Sequence, residues 1–402
     1  MSIATATIFI LTYAGVALGR IPGLRLDRAG IALTGAALMM AIGAIAPDEA
    51  YRAIDLDTIA LLLGMMIIVA HLKLSGFFRL VAGWALAHAH SLLVLLATVV
   101  FTTGALSAFL VNDAVCLVMA PLVIAVTRSL RRDPIPYLLA VAMASNVGST
   151  ATITGNPQNM IISTLSHIPY TQFAKTLAPV AAAGLLAVIF LLAFLWWAEL
   201  RGGSHLTAKP ATTRPHKAQL AKALLVTVGV IGSFFAGVPV AKSAILGGSL
   251  LLITRAINPR KVYRELDGSL LLMFAGLFVV VAAAEKVLLK PEALAAVQTF
   301  RLSNAYILTA VTAVLSNVVS NVPAVLVLKP FVQDLADQQH AWLVIAMSAT
   351  LAGNLTLVGS IANLIVAERA RASGIELSFW TYSRAGVPLT LITLLIGAWW
   401  LS

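Results

Sequence analysis

Apolar runs of roughly 20 residues recur from one end of the chain to the other, and this repetition constrains the fold more than any single motif. A run of that length crosses a hydrocarbon core of about 30 Å as a helix, which satisfies its own backbone hydrogen bonds where no water reaches. Only 11% of the 402 residues are charged and 60% are hydrophobic, against about 25% charged in an ordinary soluble domain. The sequence therefore predicts an all-α polytopic membrane protein with no separate soluble domain. The first run, 3–19, lacks a basic leader and a small-residue cleavage site, so it reads as a retained span. A single cysteine, Cys116, excludes an internal disulfide and a multi-thiol metal site.

Runs at 3–19, 29–45, 58–74, 137–165, 173–197, 220–237, 241–254, 269–284, 341–367 and 388–401 predict ten transmembrane helices. Two further segments, 92–127 and 303–332, are too long for one crossing and carry polar residues at their centres. They read as re-entrant hairpins. The net charge of +11 would suggest a nucleic-acid partner in a soluble protein, but here the basic residues sit in short connections, so no nucleic acid is expected. With the N-terminus outside, the inner connections hold Arg20, Arg25 and Arg28; Lys73, Arg79, Arg128, Arg131 and Arg132; Arg201, Lys209, Arg214, Lys217 and Lys222; Arg255, Arg260, Lys261 and Arg264; and Arg369, Arg371 and Arg384. These are 20 of the 27 basic residues, and cytoplasmic loops carry such an excess. Both termini are expected outside, in the inner (plasma) membrane, with the lipid bilayer as environment and a homodimer possible.

The two halves repeat. At an offset of 209, Leu106, Ser107, Asn112, Leu117 and Pro121 coincide with Leu315, Ser316, Asn321, Leu326 and Pro330. At 204, Thr152, Gly155, Asn159 and Ile161 coincide with Thr356, Gly359, Asn363 and Ile365, and at 210 Asp57 recurs as Asp267. Five crossings plus one hairpin per half is an odd count, so the halves are expected as inverted-topology repeats: 1–200 with an inner hairpin at about 84–130, a cytoplasmic linker at 201–218, and 219–402 with an outer hairpin at about 303–333. Inverted repeats with helices broken at the midplane mark secondary transporters.

The interruptions predict the site. One tip reads Leu110-Val111-Asn112-Asp113-Ala114 and the other Val319-Ser320-Asn321-Val322-Pro323, where proline removes a backbone donor. The helices after each tip break at 145–159 and 353–363. Backbone groups freed there must line a wet cavity or bind solute, which makes Asn146, Ser149, Thr150, Gly155, Asn156, Asn159, Ser320, Asn321, Asn354, Thr356, Gly359, Ser360 and Asn363 candidate solute-binding residues. Small polar residues in membrane helices also serve close packing. Asp113 is the only Asp, Glu, Lys or Arg in segments 91–127, 137–166, 302–328 and 341–367. A carboxylate at such a position needs a cation or proton beside it, so Asp113 with Asn112 is the candidate coupling-ion site, and capping of the following helix is the alternative role.

No Arg or Lys is expected to clamp the site, whose hydroxyls and amides suit a small polyhydroxy solute or a weakly held anion; a polyanion facing Asp113 would have to bring cations with it. Lys329 is expected to snorkel to the outer interface, His71, His88 and His90 to sit at solvated inner ends, and Cys116 to fill core. No second acid, His or Cys completes a catalytic set in the broken segments, so an enzyme is not expected. A channel is disfavoured by the paired hairpins.

The runs SNVGSTATITGNPQNMI, AGNLTLVGSIANLIVAE, FLVNDAVCLVMAP and LSNVVSNVPAVLVL resemble the ion transporter superfamily over nearly the whole chain. Within it they are similar to the bacterial arsenite efflux pumps of the ArsB type and the plant silicon efflux transporters. The resemblance implies proton-driven antiport of a small neutral metalloid hydroxide, arsenite or silicic acid, without a cofactor. It places Asn112, Asp113, Asn146, Asn156, Asn159, Ser320, Asn321, Asn354, Ser360 and Asn363 at positions lining the solute and ion sites. Sodium-coupled dicarboxylate carriers of the superfamily have Ser-Asn-Thr at both tips, whereas this chain has Val-Asn-Asp and Ser-Asn-Val. The competing expectation is a sodium- or proton-coupled carrier of organic or inorganic anions such as dicarboxylates.

Overall fold

The computed structural model describes residues 2–19, 25–87, 90–201, 217–253, 257–288 and 301–402. Arg20, His88, Lys209, Arg214, Arg255, Lys290 and most of the expected linker at 201–218 lie outside the described residues. In chain order the helices are α1 (Ser2–Leu18), α2 (Arg28–Ala41), α3 (Pro47–Ala53), α4 (Leu56–Ser75), α5 (Phe77–Ala87), α6 (Leu92–Phe109), α7 (Asn112–Ser129), α8 (Ile135–Ser149), α9 (Pro157–Ser166), α10 (Tyr170–Leu195), α11 (Trp197–Arg201), α12 (Lys217–Phe235), α13 (Val240–Leu252), α14 (Pro259–Tyr263), α15 (Gly268–Leu288), α16 (Ala305–Val319), α17 (Asn321–Val332), α18 (Gln338–Ala352), α19 (Ile361–Ala372) and α20 (Phe379–Trp400).

The all-α polytopic architecture is present, but ten crossings and two re-entrant hairpins are not. Among the described residues six helices are long and apolar enough to cross a membrane: α4, α6, α7, α10, α12 and α15. The segment expected to form the first hairpin divides at Leu110 and Val111 into α6 and α7 of 18 residues each. At 1.5 Å per residue each arm is about 27 Å long, close to a full crossing, so neither is a short re-entrant arm. The second segment divides into α16 and α17, of 15 and 12 residues. Other expected spans are shortened by turns that hydropathy does not register. The run at 29–45 leaves α2 at Ile42, before Gly43 with φ +73°, and the runs at 137–165 and 341–367 are each broken into two short helices.

The halves pack reciprocally. Helix α4 runs along α13 while α2 runs along α15. A Cβ on Gly64 would stand 2.5 Å from the Ala244 carbonyl oxygen, and one on Gly276 would stand 2.8 Å from that of Ala32, so both crossings depend on bare backbone, as small residues in membrane helices permit. The caps follow the same relation: Asp55 accepts from the Thr58 amide at 3.0 Å and Asp267 from the Leu270 amide at 3.0 Å. Here Asp55, Thr58 and Gly64 correspond to Asp267, Leu270 and Gly276, a shift of 212 positions. The alignment of Asp57 with Asp267 is thereby corrected by two residues, because the capping carboxylate and the close-packed glycine fix the register.

Candidate functional site

Two broken helices meet at the centre. Helix α8 ends at Ser149, a 3₁₀ turn spans Ile153–Gly155, and α9 restarts with Asn156 as its cap, whose side-chain oxygen accepts from the Asn159 amide at 2.9 Å. Helix α18 ends at Ala352 and α19 restarts behind Ser360, which accepts from the Ala362 amide at 3.2 Å. The freed carbonyls are caught identically in both halves. The Asn159 side-chain amide donates to the carbonyls of Ser149 (3.1 Å) and Thr152 (3.0 Å), and that of Asn363 donates to Gly353 (2.8 Å) and Thr356 (3.1 Å). Gly155 lies so close to Ser149 that a Cβ would overlap its backbone, and a Cβ on Gly359 would stand 3.0 Å from the Gly353 carbonyl oxygen.

Asn146 joins the two breaks. Its side-chain amide nitrogen donates to Asn354 (2.9 Å) and Asn363 (3.0 Å), and its oxygen accepts from Asn112 (3.2 Å) and Ser360 (3.0 Å). Asn156 donates to Ser149 Oγ at 3.0 Å and to Thr350 at 3.1 Å, while the Ser149 and Thr150 hydroxyls donate back to the Asn146 carbonyl. Asn146, Ser149, Thr150, Asn156, Asn159, Asn354 and Asn363 are therefore buried and bonded to other protein groups. The Thr356 side chain is half-buried and its carbonyl belongs to the same lattice.

Only part of the expected set faces open space. A cavity of about 40 Å³ is lined by Asn112 and Asp113 of α7, Ser320 and Asn321 of the α16–α17 tip, and Ser360 of the second break. Two side chains missed in the sequence join them: Gln158, from the first turn of α9, and Arg28, the first residue of α2. The expectation that no basic residue reaches the site is corrected here. Arg28 resembles a topology marker because it follows Arg20 and Arg25, yet Asp27 caps α2 and starts the helix beside the cavity (2.8 Å to the Gly30 amide). Arg28 and Asp113 line the same cavity without forming an ion pair within 4.0 Å among the described residues.

Three further features mark the cavity lining. The Asn112 and Asn321 side-chain oxygens are buried without a hydrogen-bond partner. Ser320 has φ +80° and ψ 158°, a region used almost only by glycine and costing about 1–3 kcal/mol elsewhere. Asp113 lies in the first turn of α7, whose cap residue Val111 supplies no side-chain hydrogen bond. Elsewhere, Lys329 pairs with Glu285 at 3.2 Å. His71 is buried against the Ile67 carbonyl at 2.9 Å instead of being solvated. His90 is exposed and Cys116 is buried in the core.

Comparison with known proteins adds the following. Residues 13–352 match the family described as citrate transporter (CitMHS). An uncharacterized transporter of Mycobacterium tuberculosis is 32% identical over 99% of this chain and 97% of its own length. The silicon efflux transporter LSI3 of Oryza sativa subsp. japonica is 29% identical over 94% of this chain and 93% of its own, and the putative transporter arsB of Dictyostelium discoideum 25% identical over 97% and 89%. The crystal structure of the Alcanivorax borkumensis YdaH transporter superposes with TM-score 0.64 over 100% of this chain and 97% of that one. At 14% identity that likeness concerns the fold alone.

Proposed function

The chain belongs to the citrate transporter family, and from that premise we propose that it carries a carboxylate-bearing anion across the membrane together with protons. It is a multi-pass membrane transporter of small solutes or ions and not an enzyme. The observation that carries the finer reading is Arg28 beside Asp113 in one cavity. A guanidinium presents a planar fork matched to a carboxylate, and among the described residues no carboxylate occupies it within ion-pair distance. Ionised Asp113 competes with the solute for that positive charge. Protonated Asp113 releases Arg28 to the solute and removes the repulsion, so proton and anion enter together.

Asn112, Gln158, Ser320, Asn321 and Ser360 supply the neutral contacts, and the Asn146 lattice holds the two breaks at fixed distance beneath them. A cavity of about 40 Å³ lies far below the roughly 300–1,000 Å³ of ligand pockets. Admission of a tricarboxylate therefore requires the tips at Asn112 and Asn321 to move away from α2 and α15. Both termini lie on the outer face in this scheme, where the basic connections mark the inner one.

Proteoliposomes loaded with citrate, succinate, arsenite or germanic acid, each under an imposed proton or sodium gradient, test the reading. Uphill movement of a carboxylate under the proton gradient is expected. Movement of arsenite or germanic acid alone would return the function to the neutral hydroxides suggested by the names of the rice and Dictyostelium relatives, and strict sodium dependence would remove the proton from the scheme.

A further inference from the structure

Asp113 also lines a second cavity. This one measures about 160 Å³ and is walled by Leu62, Met66 and Val69 of α4, Leu117 of α7 and Leu270 of α15. Such walls offer nothing to a polyanion. The volume accommodates about five waters at roughly 30 Å³ each. Its lining also includes Lys73, Glu265 and Asp267, and the Lys73 ammonium donates to the Glu265 carboxylate. Among the lining residues, Glu265 and Asp267 against Lys73 give this part of the cavity a negative bias, which favours cations over anions.

The pair also joins the two halves of the chain. Lys73 belongs to the last turn of α4, in the first half, and Glu265 precedes α15, in the second. Their side chains are 30% and 28% exposed, and an ion pair in that setting adds little to stability, so it opens at little cost.

We propose that the coupling proton passes between Asp113 and the inner side through this second cavity, separately from the solute, and that the Lys73–Glu265 pair is its gate. The proposal rests on Asp113 being the proton carrier. Charged groups facing Asp113 are Arg28 from the solute side and Asp267, with Lys73 and Glu265, from the gate side. Proton and solute then meet at one carboxylate from two directions, and neither has to pass the other.

Two measurements test it. In a Cys116→Ala background carrying Leu117→Cys, a small cationic methanethiosulfonate labels the cavity wall, and this readout needs no solute. Lys73→Glu should raise the labelling rate at least tenfold, and the charge swap Lys73→Glu/Glu265→Lys should restore it. Labelling indifferent to Lys73→Glu, or not restored by the swap, overturns the gate whatever the protein carries. Separately, Met66→Trp fills the second cavity without touching the first, with Val69→Phe as a milder filler. Either should slow proton-driven citrate uptake at least tenfold and spare citrate counterflow at equal pH. An equal loss of both, in a variant that melts like the parent, overturns the separate route. Absence of citrate transport in the parent itself, with labelling still governed by the pair, would instead refute the proposed solute.

Discussion

Replacing Asn146 by alanine removes a side chain that joins both broken helices to the α7 tip. Four hydrogen bonds disappear, at 2.9 Å to Asn354, 3.0 Å to Asn363, 3.2 Å from Asn112 and 3.0 Å from Ser360. At about 1 kcal/mol net each the loss is about 4 kcal/mol, and it grows where buried partners such as Asn354 and Asn363 keep no replacement, because an orphaned buried polar group costs about 1–3 kcal/mol. Asn146→Asp is a sharper variant: it keeps the acceptor oxygens but turns the donor toward Asn354 and Asn363 into a third oxygen against two. Asn258, whose side chain caps the short exposed helix α14 (2.9 Å to the Arg260 amide), is the comparison, since loss of a cap costs about 1 kcal/mol. Detergent-solubilised variants are heated and their remaining monodisperse fraction read by fluorescence-detected size exclusion. Asn146→Ala and Asn146→Asp should each lower the midpoint several-fold more than Asn258→Ala. A midpoint for Asn146→Ala equal to that of Asn258→Ala would refute the claim that this side chain clamps the two breaks.

Four other outcomes follow from the same geometry. Gly64→Ala and Gly276→Ala, whose new methyls meet backbone, should each cost about 1–3 kcal/mol or more, whereas Gly232→Ala in α12, which meets nothing within 4 Å, should leave the midpoint unchanged or raised. Arg28→Gln should weaken citrate binding roughly ten- to 150-fold, the equivalent of a charge-assisted bond of about 1.5–3 kcal/mol, with an unchanged melting midpoint. Ser320→Gly relieves a positive-φ position and should raise the midpoint, read in the same thermal assay. The Glu49 carboxylate lies below its ordinary value because Lys286 donates to it (2.6 Å) and the Ala46 amide adds a second bond (3.1 Å). Its contribution is complete above the ordinary carboxylate value and is lost as pH falls through the lowered one, so Glu49→Gln should flatten the acid limb of a melting-versus-pH curve.

The sequence made the breaks visible because Gly, Ser and Asn cluster there inside otherwise apolar runs, and the structure shows those side chains recovering the freed carbonyls. It made Asp113 visible because no other charge stands in those segments. The number of crossings was not legible, since hydropathy measures how long a run stays apolar and not how long a helix stays wound: 29–45 is one run, but its helix ends at Ala41. Arg28 was not legible either, because its nearness to Asp113 is a tertiary fact and its neighbours in sequence suggested a topology signal. Gln158 sits within the GNPQN string, and the only clue was its place in the first turn of a helix restarting beside the break. Upstream, the offset of 210 taken from Asp57 and Asp267 differs from the 212 that relates the Asp55 and Asp267 caps, because a capping role is set by local geometry and not by residue type alone.

Proton uptake on solute binding tests the central claim most directly. Calorimetric titration of citrate into the detergent-solubilised protein, repeated at one pH in buffers of different ionisation enthalpy, gives the protons taken up per citrate bound. The account predicts about one more proton bound by the wild-type protein than by Asp113→Asn, by linkage of binding to protonation, with citrate affinity in the variant independent of pH beyond the solute's own titration. Equal proton uptake by the two proteins would contradict it.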